Sequence, residues 1–158
     1  MIAVGLLDNP DAVRSILHHP SVVEAFLDDF TPRDFEPAWG PQVRYLGLSK
    51  DGWLAGLFVF IERSPVLWEV HTAMLPKLRP YAGIASKKAL RWLWSETTCR
   101  RLYTQIPEDN AAAIRFAEAI GFKEYGRNPK SWQRRGRLLD IVQLGISKEE
   151  VLDGCCCF

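Results

Sequence analysis

The sequence is poor in cysteine, and its few cysteines are not placed for cross-linking or for metal binding. Only four of the 158 residues are cysteines, Cys99 alone and Cys155, Cys156 and Cys157 in a row. Adjacent cysteines form no disulfide framework, and none of the four has the C-x-x-C spacing of a zinc site. We therefore expect a reducing compartment, the cytoplasm, and no bound metal.

A strong net charge and a long hydrophobic run are also missing. Twenty basic and nineteen acidic residues give a formal net charge of +1, which disfavours a nucleic acid or a membrane surface as the partner. The longest apolar stretch, residues 53–61, is far shorter than the roughly 20 residues that a membrane-spanning helix needs. The first residues lack the positive segment of a signal peptide and reach an acid at Asp8.

Internal repeats and low-complexity linkers are absent as well. The length of 158 residues, with 47% hydrophobic and 25% charged residues, is typical of one globular domain. We predict a single domain over residues 1–148. A tail over residues 149–158 carries the cysteine run and is expected to pack on the domain or on a neighbouring chain.

Hydrophobic patterning predicts helices and an antiparallel meander in the first half of the chain. A first strand is expected over residues 2–6, followed by a helix that begins at Asn9 and Pro10 and stops before Pro20. Ser21 is expected to cap a second helix that runs to Phe30. Three strands follow at residues 43–49, 53–62 and 66–75, the first two joined by an Asp-Gly hairpin turn.

In the second half of the chain the spacing of the hydrophobic residues changes from a strand period to a helix period. Helices are predicted over residues 82–97 and 110–120, with a short strand at 101–106 between them and strands at 122–127 and 138–146 joined by a basic loop. The strand–helix–strand crossover requires one parallel pair in an otherwise antiparallel sheet. We therefore predict an α/β (α+β) domain with a mixed, mostly antiparallel sheet and helices on both faces.

Two segments carry most of the functional information. Residues 80–85, Pro-Tyr-Ala-Gly-Ile-Ala, bring small side chains into a helix start, where free N–H groups and the helix dipole favour an anion. Lys77, Arg79, Lys87 and Lys88 add positive charge. The alternative is an ordinary solvated helix end, and likewise residues 107–122 alone are explained by a capped amphipathic helix closed by a glycine.

The joint spacing of the two segments resembles the GNAT superfamily of acyl-CoA-dependent N-acyltransferases over residues 43–146. Gly83 and Ala85 match the family's phosphate-loop pattern Gln/Arg-x-x-Gly-x-Gly/Ala, whereas Pro80 stands where Gln or Arg is expected. The later pattern of the family falls on five residues, Asn110, Ala113, Phe116, Gly121 and Phe122. The chain is also similar, more weakly, to small GNAT-like proteins encoded by tailed phages, which would place it in the host cytoplasm.

The resemblance implies a binding site for acyl-CoA, most simply acetyl-CoA. In GNAT proteins the fourth and fifth strands splay apart, and pantetheine lies in the gap. Backbone groups near Met74 and Leu75 would then bond the thioester and pantetheine, with Asn110 and Phe116 beside it. The pyrophosphate would rest on backbone N–H groups, with Arg79 or Lys87 compensating for the donor that Pro80 lacks; the residues of that segment are Tyr81, Ala82, Gly83, Ile84 and Ala85.

Acyl transfer to an amine also needs a base. Glu69 and His71 are spaced i, i+2 and therefore share one face of a strand. Two ionisable groups buried there without purpose would be costly, so we predict that they are catalytic. The alternative is that Glu69 bonds a loop backbone and His71 is a satisfied core histidine.

The general acid is not identified by the sequence. Phe116 occupies the position at which the family often carries a tyrosine that protonates the leaving thiolate. Tyr103, Tyr125 or water are the possible substitutes. Trp39 and Phe35 are candidates to line an acceptor pocket, and exposed tryptophans are compatible with a homodimer.

Three hypotheses follow from these features. The first is an enzyme that transfers an acyl group from acyl-CoA to a primary amine. The second is a catalytically weakened GNAT-fold module with a binding or structural role, encoded by a phage. The third is a nucleic-acid binder that uses the late basic segment around Trp132, and the near-neutral net charge disfavours it.

Overall fold

A computed structural model describes residues 1–153, so the cysteine run at residues 155–157 and its predicted packing lie outside the described residues. The strands are β1 Ile2–Leu7, β2 Val43–Lys50, β3 Trp53–Glu62, β4 Leu67–Met74, β5 Arg101–Pro107, β6 Lys123–Arg134 and β7 Arg137–Ser147. The helices are α1 Pro10–Leu17, α2 Pro20–Val23, α3 Ala82–Glu96, α4 Ala111–Ala119 and α5 Lys148–Asp153. Among these helices none is long and apolar enough to cross a membrane.

All seven strands form one sheet in the order β1-β2-β3-β4-β5-β7-β6. Every neighbouring pair is antiparallel except β4 and β5, which α3 connects as a parallel crossover. On one face, Val13, Ile16 and Leu17 of α1 pack on Tyr45, Leu57, Val59 and Ala73. On the other face, α3 and α4 cover a second core that includes Phe58, Phe60 and Trp68. The predicted mixed sheet with helices on both faces is confirmed.

The sheet opens between β4 and β5. Their parallel pairing covers only Leu67, Trp68 and Glu69 of β4, opposite Arg101, Leu102 and Tyr103 of β5. Beyond Glu69 the two strands continue without pairing, although each still bonds its outer neighbour, β3 or β7. This divergence creates a gap in the middle of the sheet, and it positions the site described below.

The second helix differs from the prediction. His19, rather than Ser21, caps it, since the His19 ring accepts the Ser21 N–H at 3.2 Å. Pro20 is the first helical residue, because the missing N–H of proline costs nothing at that position. The helix ends at Val23, and a 3-10 turn over Glu24–Phe26 replaces the predicted continuation.

The predicted basic loop between the last two strands is also wrong. That segment continues β6 up to Arg134, and a two-residue turn at Arg135 and Gly136 leads directly into β7. Both turn residues have positive φ, 51° and 71°, as a type I′ hairpin turn requires. β6 is an edge strand with mostly exposed side chains, so it lacks the apolar alternation by which a strand is recognised in sequence.

Candidate active site

Backbone groups of β4 face the gap. Leu75 N–H donates to the Ala55 carbonyl of β3 at 2.9 Å, and the antiparallel ladder alternates from that pair. Thr72 and Met74 therefore direct their peptide groups away from β3, toward β5, where strand pairing has already ended at Glu69. An extended ligand chain in the gap meets these groups as it would meet a neighbouring strand.

The expectation for Leu75 is corrected by the same hydrogen bonds. Its N–H is used by Ala55, and its carbonyl accepts the Leu78 N–H at 2.9 Å. Both backbone groups of Leu75 are thus occupied by the protein. Met74, by contrast, ends β4 beside the gap, and its carbonyl meets only a long contact of 3.4 Å from Arg79 Nε.

A cavity of about 270 Å³ passes through the gap from one face of the sheet to the other. On the α1–α2 face it is lined by Phe26, His71, Gln105 and Trp132. On the opposite face it lies beneath α3 and α4, where its lining includes Ser86, Ala89, Ala113, Phe116 and Ala117. The predicted lining by Phe35 and Trp39 is not seen, because Phe35 packs on His18 and Trp39 on Tyr45.

A second hollow of about 360 Å³ extends this cavity toward the start of α3. The two share Thr72, Asn110 and Phe116, and the second reaches Arg79 and Ala82. A ligand that enters at the N-terminus of α3 can therefore run through the gap to the far face of the sheet.

Glu69 lies where β4 and β5 separate, and it is 3% exposed. Its carboxylate accepts from Arg63 Nε and Nη2 at 2.9 and 2.6 Å, from the Tyr103 hydroxyl at 2.9 Å and from His71 Nε2 at 2.8 Å. Burial alone raises the pKa of Glu69, but the hydrogen bonds from His71 and Arg63 outweigh it and lower that pKa to about 2. Glu69 is therefore ionised at neutral pH and bonds side chains rather than a loop backbone.

The partner of Glu69, His71, is one-third exposed and lines the cavity. An ionised carboxylate only accepts hydrogen bonds, so the His71 Nε2 must carry the proton that is donated to Glu69. In the neutral imidazole with this tautomer, the other ring nitrogen, Nδ1, carries the lone pair. The pair is arranged as a base and the carboxylate that fixes its tautomer.

Scans against protein-family models and curated proteins match nothing, whereas solved structures match over nearly the whole chain. Spermidine N-acetyltransferase from Vibrio cholerae, in complex with CoA and spermine, superposes with a TM-score of 0.78 over 96% of this chain and 98% of that one, at 16% identity. A candidate phosphinothricin N-acetyltransferase gives 0.73 over 93% and 98%, at 19% identity. Ribosomal-protein-alanine N-acetyltransferase from Brucella melitensis gives 0.57 over 66% and 68%, at 19% identity.

The chain has the GNAT fold. At these identities the matches establish architecture, and the site residues must be judged on their own geometry. The gap between β4 and β5 is the place where the family resemblance puts pantetheine, so the remaining predicted residues can be located relative to it.

The predicted diphosphate segment is helical rather than a loop. Pro76–Tyr81 forms a 3-10 helix that runs directly into α3. The Ala82 N–H donates to the Arg79 carbonyl and is thereby occupied, and Ala85 is fully buried in the core. Gly83 is open, since no atom outside its two chain neighbours and the surrounding helix backbone lies within 4 Å of the place that a Cβ would take.

The other residues of that segment face different neighbours. Tyr81 lies under the Lys50 ammonium, 5.0 Å from its ring centroid, and Ile84 is exposed. Arg79 donates to the Ser21 carbonyl at 2.8 Å as well as to Met74. Its guanidinium therefore ties the segment to α2 and β4, and it does not simply replace the donor missing at Pro80.

Asn110 and Phe116, which the resemblance places beside pantetheine, both line the cavity and the second hollow. Asn110 caps α4, where its Oδ1 accepts the Ala113 N–H at 3.3 Å, and it lines both hollows. Phe116 lines both as well, one and a half turns along the helix. Neither predicted substitute for the absent tyrosine is positioned as an acid. The Tyr103 hydroxyl donates to Glu69, and Tyr125 is half exposed under Arg101.

Arg63 is a site residue that the sequence did not reveal, and Tyr103 was expected only as a candidate acid and not as a partner of Glu69. Arg63 follows β3, and Tyr103 comes from β5, which enters the sheet beside β4 only through the crossover. A partner for Glu69 could be found from sequence only within its own strand, as His71 was.

Trp132 lines the cavity rather than an outer surface. Its indole N–H is buried, and Phe26 lines the same cavity. Arg134 next to it is paired with Asp109 at 3.0 Å, and Arg127 with Glu124 at 2.7 Å. The tryptophan required for base stacking in the nucleic-acid hypothesis is thus turned inward.

Proposed function

We propose that this protein is an acyl-CoA-dependent N-acyltransferase that acylates a primary amine, with acetyl-CoA as the simplest donor. The observation that supports this most strongly is the channel through the sheet. It joins the start of α3 to the His71–Glu69 pair through a gap edged by unpaired β4 backbone groups.

The donor fits this channel in one direction. Its diphosphate meets the positive end of the α3 dipole beside Ala82, which lines the second hollow, and next to Gly83, which has no side chain. Its pantetheine arm runs along Thr72 and Met74, whose peptide groups are free of strand pairing, and it passes between Asn110 and Phe116. The thioester then lies near His71.

The reaction is a direct attack. The amine nitrogen bonds to the thioester carbonyl carbon while His71 Nδ1 takes its proton, and a β4 peptide N–H stabilises the oxyanion, a contribution of about 3 kcal/mol per donor. The carbon–sulfur bond then breaks, and the thiolate leaves and is protonated by water. The products are an amide and CoA.

Glu69 acts as a positioning residue in this scheme. Its pKa of about 2 makes it a poor base at neutral pH. Its hydrogen bond to Nε2 holds the imidazole in the tautomer that exposes Nδ1, and it stabilises the imidazolium that forms after proton transfer.

A GNAT-fold binding module with weakened catalysis is the second candidate. Phe116 favours it, since it brings no hydroxyl to the channel, and so does the engagement of the Tyr103 hydroxyl with Glu69. Such a module binds acyl-CoA and releases no thiol.

Thiol release from acetyl-CoA with a panel of amines tests the proposal. Wild-type protein should release thiol only when an amine is present. His71→Ala and His71→Asn should both lower kcat by about 10²–10⁴. Asn keeps a donor to Glu69 but has no basic nitrogen, and added imidazole should restore part of the Ala variant's rate.

Each other outcome has a distinct meaning. Unchanged turnover in His71→Ala removes this residue from the mechanism. Stabilisation by acetyl-CoA without thiol release from any amine favours the binding module. If acetyl-CoA neither stabilises the protein nor releases thiol with any amine, both candidates are contradicted.

A further inference from the structure

The cavity through the gap continues beneath α3 and α4. This deep part, here called the acyl cavity, lies on the side of the sheet opposite His71. Its walls are apolar and buried, and its main members are Phe58, Phe60, Ala89, Leu102, Ala117 and Phe122. Protein interiors are normally close-packed, so an open space among such residues calls for an occupant.

The space is large for an acetyl group alone. The cavity that spans the gap measures about 270 Å³, whereas an apolar cavity of about 150 Å³ already accepts a benzene molecule. The end of the pantetheine arm takes part of the volume near Thr72 and Asn110. The remaining volume, between the sheet and helices α3 and α4, is lined mainly by hydrocarbon side chains.

Ser86 adds an independent sign of a ligand. It is 1% exposed, it lines the cavity, and its hydroxyl has no hydrogen-bond partner among the described residues. A helical serine usually donates to the carbonyl four residues earlier, and this one does not. A buried hydroxyl without a partner is unfavourable, so its partner is expected from whatever fills the space.

We propose that the acyl cavity takes the hydrocarbon chain of an acyl-CoA donor longer than acetyl, such as butanoyl- or hexanoyl-CoA. This inference rests on the proposed function and names its donor class. The methylenes contact the phenylalanine and alanine walls. The thioester stays in the gap, where the amine reaches its carbonyl carbon from the His71 side and its oxygen accepts from the β4 peptide N–H and from Ser86. The bonds that form and break are those of the acetyl reaction: the amine nitrogen bonds to the carbonyl carbon, and the carbon–sulfur bond of the thioester breaks.

A donor series tests this inference. Calorimetric dissociation constants and kcat/KM are measured for acetyl-, butanoyl- and hexanoyl-CoA on the whole chain. Each buried methylene should strengthen binding up to about fourfold, so hexanoyl-CoA should bind more tightly than acetyl-CoA by about tenfold or more. The proposal is overturned if acetyl-CoA binds best and longer esters are rejected.

A cavity-filling variant locates the effect. Ala89→Leu puts a side chain into the acyl cavity and should lower the hexanoyl-to-acetyl ratio of kcat/KM by about tenfold. Ala117→Val is a milder change in the opposite wall and should act in the same direction if Ala89→Leu does not fold. Ala112→Leu, exposed on α4, is the matched control and should leave the ratio unchanged.

The failure of this inference differs from the failure of the proposed function. If the hexanoyl-to-acetyl ratio of kcat/KM is the same in Ala89→Leu, in Ala117→Val and in the wild type, the acyl chain of the donor does not enter the acyl cavity, even if transfer occurs. Absence of binding of every ester contradicts the acyltransferase itself. Ser86→Ala should weaken binding of all three esters about equally, and no change shows that Ser86 bonds water instead.

Discussion

A single buried carboxylate organises the side chains of the candidate site. Glu69 collects donors from the end of β3, from its own strand and from β5, through Arg63, His71 and Tyr103. Each donor stabilises the charged form, and together they overcome the opposing effect of burial on its pKa. The same network that orients His71 therefore also links folding to pH.

The Glu69 carboxylate should make the protein sensitive to acid. Its pKa falls from 4.5 to about 2 on folding, so its stabilisation is present above pH 4.5 and is lost as the pH falls toward 2. Glu69→Gln should lower the free energy of unfolding at pH 7 by about 3 kcal/mol and flatten its pH dependence in that window. Urea unfolding at a series of pH values measures both.

Asp51→Asn is the matched control for this prediction. Asp51 also has a pKa lowered to about 2, by Lys50 and the N-terminal amine, but it is exposed and screened by solvent. Its substitution should change the acid limb much less. Equal effects of the two variants would show that burial of Glu69 contributes nothing.

Gly83 offers a substitution that separates binding from folding. A Cβ there meets no atom within 4 Å outside its chain neighbours and the helix backbone, so Gly83→Val should fold normally. It should weaken acetyl-CoA binding about tenfold, because the added group stands between the α3 backbone and the diphosphate. Ser95→Val, at the exposed end of the same helix, should bind as wild type does. If calorimetry gives the same acetyl-CoA affinity for Gly83→Val and the wild type, the diphosphate does not bind beside Gly83.

Residues of the site were predictable only where they are neighbours in sequence. The i, i+2 spacing placed Glu69 and His71 on one face of β4, and they are hydrogen-bonded at 2.8 Å. Arg63 and Tyr103 reach Glu69 only after β3 and β5 flank β4 in the sheet. Pairing between distant segments is set by the tertiary structure and leaves no local pattern.

At the level of elements, a short segment joins two parts of the chain that line the cavity on the α1–α2 face of the sheet. Residues 27–31, here called the strap, run from the turn after α2 to the tip of the β6–β7 hairpin. Asp29 accepts the backbone N–H groups of Arg135 and Gly136 at 2.6 and 2.9 Å, and Arg134 Nε donates to the Leu27 carbonyl at 3.2 Å. The strap thereby ties the turn that ends at Phe26 to the hairpin that carries Trp132, and both residues line the cavity.

Removing the Asp29 carboxylate should loosen this contact. In Asp29→Ala the amide protons of Arg135 and Gly136 should exchange with solvent about five- to tenfold faster, since each loses its acceptor. Asp29→Asn retains one carbonyl oxygen and should show a smaller effect. Hydrogen-exchange NMR measures both, with Glu69 and His71 left intact. Unchanged exchange would mean that the hairpin turn alone protects these amides.

Elements with a buried face were predicted well, and exposed ones were not. β3 has the predicted bounds, and α1, α3 and α4 lie within a residue or two of theirs, because each presents an apolar face to a core. The strand nature of β6 was missed because its side chains are exposed at the sheet edge. The 3-10 helix at Pro76–Tyr81 was missed because its two prolines and basic residues have the composition of a loop.

For the whole molecule, the sheet order creates the site. The parallel crossover brings β5 beside β4 for only three residue pairs, and the two strands then follow different outer neighbours. The gap therefore opens next to the start of α3, the helix that makes the crossover. A coenzyme with an anionic end and an extended arm matches this arrangement, and it would tie the two halves of the sheet together when bound.

The most direct test of this account is the free energy of unfolding of the whole chain in the presence of acetyl-CoA, measured by denaturant titration. At about 100 times its dissociation constant, a ligand that binds only the folded protein adds about 2.7 kcal/mol. The account predicts a stabilisation of this size for the wild type and much less for Gly83→Val at the same concentration. Equal unfolding curves with and without millimolar acetyl-CoA would contradict the assignment of the β4–β5 gap as a coenzyme site.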